Sequence, residues 1–303
     1  MENFDQATKT QTVNLLQKST DFLDIATLGK NSWWRYLVSI FLILFAWQVM
    51  GAIPYAIIFL LNLSSQPLIS FIAINFSFMC LLASLFFFVR FVHKRNPISL
   101  ITGEIRVSFK KIWLAAGMWT IIVVITTIVD SLVHPGSYEF TFKWAEWVPF
   151  SLAAIILTPI QTSAEELLFR GYFLQGMGLI TKRKWILTII SGLIFAVPHF
   201  LNPEMKYGFV LMGLFYFSFG AILTMISLKS NRLEYALGVH AANNLMTVLL
   251  ANYKDSALPS PSIFTASVVD PVFNLVSFIL GAGLLWYWLF ILNSTSEVIS
   301  NNR

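Results

Sequence analysis

Residues 68–92 read LISFIAINFSFMCLLASLFFFVRFV, an apolar run whose one charged residue, Arg90, comes next to its end. As a helix rising about 1.5 Å per residue, a run of this length crosses the roughly 30 Å hydrocarbon core of a bilayer. No water is available there to satisfy a bare backbone, so a lone span of this kind must be helical. Comparable runs lie near 36–61, 113–132, 148–180, 185–200, 207–228, 235–251 and 271–292. The chain has 303 residues, of which 57% are hydrophobic and only 12% charged, and its mean hydropathy is +0.72. A water-facing globule carries charge on about a quarter of its residues. The expected fold class is therefore all-α, a polytopic transmembrane helical bundle of about eight spans.

The loops supply an orientation. One alternate set, together with the termini, holds 16 of the 20 lysines and arginines, among them Arg95, Lys110, Arg183 and Arg232. The other set holds Lys143, Lys206 and Lys254, and Arg170 lies inside a span. By the positive-inside bias both termini are expected in the cytoplasm of a multi-pass inner or plasma membrane protein. The net charge of +5 is spread over these loops without forming a basic patch, so nucleic acid is not an expected partner. The bilayer and a membrane-associated peptide or protein are. No leader peptide is visible before the first span, which serves as its own targeting signal. Cys80 is the only cysteine, so no intrachain disulfide can form.

Four regions follow. Residues 1–34 form a cytoplasmic N-terminal segment, and Phe4 to Lys30 has the mixed apolar and charged character of an interfacial helix. Residues 35–147 hold three spans with their loops, 148–251 the polar-bearing helical core, and 252–303 a loop, the last span and a short tail. Trp33, Trp34, Trp113, Trp144, Trp147 and Trp185 fall at span ends, where an indole anchors at headgroup level. Pro54, Pro149, Pro159 and Pro198 are expected to kink their helices and open cavities.

A charge inside a span costs about 2.5 to 3.5 kcal/mol on insertion scales, so each one asks for a function. Asp130 and His134 lie at an outer span end within reach of the interface, and His93 falls in a cytoplasmic loop and reads as solvated. The remaining exceptions gather in Glu165-Glu166-Leu167-Leu168-Phe169-Arg170, in Phe195-Ala196-Val197-Pro198-His199 and in His240-Ala241-Ala242-Asn243-Asn244. Glu166 and Arg170, four apart with the acid first, can neutralise each other on one helix face. Glu165 is left over, turned about 100° away toward a neighbouring helix. His240 and Asn244 share a face of the seventh span. Counted from the turn at Lys182–Lys184, Glu165 and His199 stand at similar depth, roughly 22 to 27 Å along their helices. His240 is only roughly 12 Å above Arg232 and joins them if helices tilt, start deeper or kink, with Pro159 and Pro198 the expected places.

A carboxylate in a low-dielectric site beside imidazoles can act as a general base toward water. Glu165 would then activate the water, His199 orient it or share its proton, and His240 with Asn244 stabilise the oxyanion of a tetrahedral intermediate. The opposing reading is that these groups are interhelical glue, or the relay of a proton-coupled carrier or an immunity scaffold.

Glu-Glu-x-x-x-Arg, then Phe-x-x-x-His, then His-x-x-x-Asn on successive spans resembles the CPBP family of intramembrane proteases, which includes CAAX prenyl endopeptidases and bacterial Abi or immunity-type proteins. The motifs stand at Glu165, Glu166 and Arg170, at Phe195 and His199, and at His240 and Asn244. The resemblance implies hydrolysis of a peptide bond in a membrane-associated, CAAX-like or otherwise lipid-anchored substrate, with Glu165, His199, His240 and Asn244 catalytic and Glu166, Arg170 and Phe195 supporting. The family is commonly termed metalloprotease. Glu165, His199 and His240 could supply three zinc ligands with one position open, but there is no His-Glu-x-x-His helix. A metal-free, glutamate-activated water uses the same residues and is the preferred expectation.

Overall fold

The computed structural model describes residues 21–292. Six helices are long and apolar enough to cross a membrane: α1 Trp33–Leu60, α2 Pro67–Val92, α3 Phe109–Val133, α4 Trp144–Met177, α6 Phe209–Ser230 and α8 Pro271–Leu292. Two shorter helices, α5 Lys184–His199 and α7 Glu234–Leu249, complete the eight. The apolar runs thus fold one for one into the helices of an all-α polytopic bundle. Its outer wall is hydrocarbon: Phe41, Ile121, Leu152, Val210 and Leu280 are all more than 60% exposed. Such a surface is stable only against lipid.

Local chemistry sets several helix ends. Asp270 caps α8 by accepting from the backbone N–H of Val272 and Phe273, with Pro271 in the first turn. Asn231 ends α6 in the left-handed conformation, where asparagine is among the better tolerated residues. Packing then depends on small residues. Gly238 on α7 lies so close to α3 that a β-carbon would sit 2.2 Å from the Ile112 carbonyl oxygen, so any larger residue would push the helices apart. The pairs α5 with α6, and α2 and α7 with α4, complete the core.

A three-stranded sheet joins the loops at the end of the bundle away from the basic loops. Strand β3 (Phe264–Ala266) lies between β1 (Tyr138–Phe140), antiparallel, and β2 (Ala251–Tyr253), parallel. The 3–4 loop is thereby tied to the 7–8 loop.

One expectation needs correction. His93 is 3% exposed rather than solvated, with Nδ1 2.9 Å from the Lys30 carbonyl oxygen and Nε2 2.8 Å from the Tyr172 hydroxyl. The described part of the N-terminal segment packs on the bundle, with Phe22, Leu23 and Ile25 buried and Gly178 leaving room for Leu23. Residues 1–20 fall outside the described residues. Helix α4 continues as α-helix through Pro149 and Pro159 to Glu166 and then widens into a π-helical stretch at Leu167–Phe173. Wide turns of this kind redirect side chains and are frequent near functional sites.

Candidate active site

Glu165 and Glu166 are the last two α-helical residues before that π stretch, and both are buried. Arg170 follows inside it, fully buried, and its Nη1 donates to Glu166 Oε1 at 2.9 Å. Its Nη2 donates to the Gly220 carbonyl on α6 at 3.2 Å, and its guanidinium carbon lies 4.3 Å from the centre of the Phe195 ring. Arg170 therefore links α4, α5 and α6.

His240 stands between the two acids. Its Nδ1 is 2.7 Å from Glu166 Oε1 and its Nε2 is 3.6 Å from Glu165 Oε2. Since a carboxylate accepts, Nδ1 carries the proton, and Nε2 is turned toward Glu165. Glu166 consequently does more than neutralise Arg170, because it also fixes the tautomer and direction of His240.

The depth of α7 follows from a neighbouring loop. The Leu233 N–H donates to the Ile101 carbonyl, and Gly171 sits against Leu100, whose carbonyl oxygen would lie 2.9 Å from a β-carbon there. Helix α7 thus begins at the level of Gly171 and not at the level of the 178–183 turn. His240, seven residues above Leu233, reaches Glu166, five residues before Gly171.

His199 ends α5. Its Nδ1 donates to the Phe195 carbonyl at 2.8 Å, leaving the Nε2 lone pair available, and its ring stacks on Tyr216 with centroids 4.1 Å apart. Asn244 accepts at Oδ1 from Asn243 Nδ2 (3.2 Å), and Asn243 Oδ1 accepts from Trp119 Nε1 (3.2 Å). That chain orients the Asn244 amide with its N–H donors free to act. Glu165, His199, His240 and Asn244 all line one cavity of about 600 Å³, with Phe195 and Phe219 packed edge-on against His240.

Several contributors were not singled out by sequence. Gln161, one turn before Glu165, lines the cavity and is 5% exposed. Glu204 is 2% exposed and accepts from the Tyr216 hydroxyl, from Asn202 Nδ2 (3.0 Å) and from the Ala257 N–H (3.1 Å). Gln161 had a readable signal, a polar residue four before Glu165 in an apolar span. Glu204, in a loop, had none.

A zinc ion needs its nitrogen and oxygen ligands at about 2.0 to 2.2 Å around one centre. Among the described residues no three histidine, cysteine, aspartate or glutamate side chains gather closely enough. His240 gives Nδ1 to Glu166, so Nε2 is the ring nitrogen it could offer. The trio Glu165, His199 and His240 is not assembled as a ligand set in this structure.

Comparison with known proteins gives two matches. Residues 143–246, which contain every motif residue, match the family described as type II CAAX prenyl endopeptidase Rce1-like. The uncharacterized protein YyaK of Bacillus subtilis (strain 168) is 33% identical over 280 residues, covering 86% of this chain and 93% of that protein. No solved structure matches the chain.

Proposed function

Since the chain belongs to the CPBP family of CAAX-type intramembrane proteases, we propose that it is an endopeptidase that hydrolyses a membrane-associated peptide with a water activated by Glu165. The observation that supports this most strongly is the placement of Glu165 3.6 Å from His240 Nε2, with Glu166 holding the imidazole from behind.

In the proposed reaction Glu165 accepts a proton from water as the oxygen attacks the scissile carbonyl carbon, and His199 Nε2 accepts a hydrogen bond from the O–H that remains and aims the attack. The carbonyl oxygen becomes an oxyanion that accepts from the Asn244 amide, with His240 beside it. Collapse breaks the C–N bond, and Glu165 returns its proton to the leaving amine. The four groups come from three helices, α4, α5 and α7, so the bundle supplies the orientation, and burial strengthens every polar interaction in the site. No step is routed through a metal.

The same residues acting only as glue would leave cleavage unchanged when the base is neutralised. Purified wild type and Glu165→Gln, reconstituted in vesicles with candidate membrane peptides, separate the two readings. Cleavage by the wild type alone supports the proposal, and equal cleavage by both rejects it.

A further inference from the structure

The cavity is one-sided. In five of the eight helices every lining residue lies in the half toward the poorly charged loops, as with Tyr55 on α1 and Asn274 on α8; α3 and α7 line it from near their midpoints outward, and α4 from Gln161 to Phe169. The loop residues that line it come from the same side: Tyr138, Asn202 and Glu204, Tyr253 and Ser256, and Asp270. The basic 93–108, 178–183 and 231–233 loops contribute none.

The opposite end is closed by rings. The lining residue nearest the basic face is aromatic on seven helices: Trp47, Phe78 and Trp119 on α1 to α3, Phe169, Phe195 and Phe219 on α4 to α6, and Phe278 on α8. Five of these form a connected floor, Phe169 to Phe195 to Phe219 to Phe278 to Trp119, with successive centroids 5.4 to 5.7 Å apart. His240 rests on that floor, 4.9 Å from Phe219. Beneath it Arg170, Tyr172, Leu100 and Leu233 are buried at 2% exposure or less. A peptide arriving from the basic face meets packed protein, and one arriving from the other face meets the loops that line the cavity on the side of Glu204 and Asp270.

The walls also carry a sign. Asp130, Glu165, Glu204 and Asp270 line the cavity, and no lysine or arginine does. Gln161 adds a buried carbonyl oxygen that no protein donor satisfies. A low-dielectric cleft lined by one sign of charge concentrates the opposite sign.

We propose that the substrate segment enters from the face opposite the basic loops, the outer face of the membrane, and that a segment bearing positive charge is favoured over one bearing negative charge. This rests on the endopeptidase reading for its biological meaning, but entry and charge preference can be measured without turnover.

The chain's one native cysteine makes the test direct. In a Cys80→Ala background, Thr126→Cys and Thr247→Cys place a thiol on the cavity wall at near-isosteric positions, and Thr181→Cys marks the basic face. Intact cells are treated with membrane-impermeant methanethiosulfonates carrying either a trimethylammonium or a sulfonate group. Both cavity thiols should react in intact cells, whereas Thr181→Cys should react only after permeabilisation. Relative to free thiol, the cation should react at least about tenfold faster than the anion, and Asp130→Asn with Asp270→Asn should shrink that ratio. Ser277→Cys replaces either variant if gel filtration shows it misfolded. Cavity thiols that react only after permeabilisation, that react from neither side, or that show no charge preference would overturn the proposal. Because labelling needs no catalysis, a failure here is distinct from a failure to find cleavage.

Discussion

His240 Nδ1 lies 2.7 Å from Glu166 Oε1, the same oxygen that Arg170 reaches at 2.9 Å. One carboxylate oxygen thus ties an ion pair within α4 to the imidazole of α7. The two acids of the motif have different work: Glu166 faces protein on every side, while Glu165 faces the cavity.

Removing charge from Glu166 alone strands a fully buried guanidinium. Glu166→Gln should cost on the order of 3 to 5 kcal/mol and appear as poor folding. Adding Arg170→Met should restore stability, because neither charge is then left alone. Cleavage should stay low in the double variant, since His240 has lost its charged acceptor. Thermal unfolding in detergent and an activity assay check both halves, and a stable, fully active double variant would mean that His240 needs no orientation from Glu166.

Trp119 is expected to act at a distance. Trp119→Phe keeps a ring against Phe278 but deletes the donor to Asn243, so the Asn244 amide is free to turn. One lost positioning hydrogen bond corresponds to about a tenfold loss of activity, and Asn244→Ala, which removes the oxyanion donor itself, to about a hundredfold loss. Turnover should fall in both without a matching fall in melting temperature.

Much of this architecture was legible in the chain. Eight apolar runs had one structure available in lipid, and the spacing of Glu166 with Arg170 and of His240 with Asn244 placed each pair on one face. Depth was not legible, because the start of α7 is set by Leu233 bonding to Ile101 beside Gly171, a contact between three distant segments. The tie from Trp119 through Asn243 to Asn244 joins α3 to α7 and has no local signature either. His93 misled for a related reason. It lies in a polar loop, yet Tyr172 and the Lys30 backbone close over it.

That burial gives a pH dependence. Burial is the main cause holding the His93 pKa below its ordinary value of 6.5, with the neighbouring Arg95 and Arg35 adding to it and the Lys30 carbonyl opposing. The folded state therefore favours the neutral ring. Its contribution to stability is fully present above about pH 6.5 and declines as pH falls through that value, where the unfolded chain gains the proton first. Melting temperatures measured between about pH 5 and 8 should show a steeper acid-side decline for wild type than for His93→Asn, and identical slopes would contradict this.

The metal-free mechanism is checked by chelation. Purified protein treated with a strong chelator should keep its activity and contain no stoichiometric zinc. Loss of activity that zinc restores would require a ligand set other than the arrangement described above.

The most direct test of the central claim is isotopic. Membranes expressing wild type or Glu165→Gln, at matched levels of folded protein, are incubated in water enriched in heavy oxygen, and membrane peptides are compared by mass spectrometry. Hydrolysis by an activated water places one heavy oxygen in each new C-terminal carboxylate. Labelled termini should be present with wild type and reduced by about a hundredfold or more with Glu165→Gln; equal labelling by the two proteins would contradict the account.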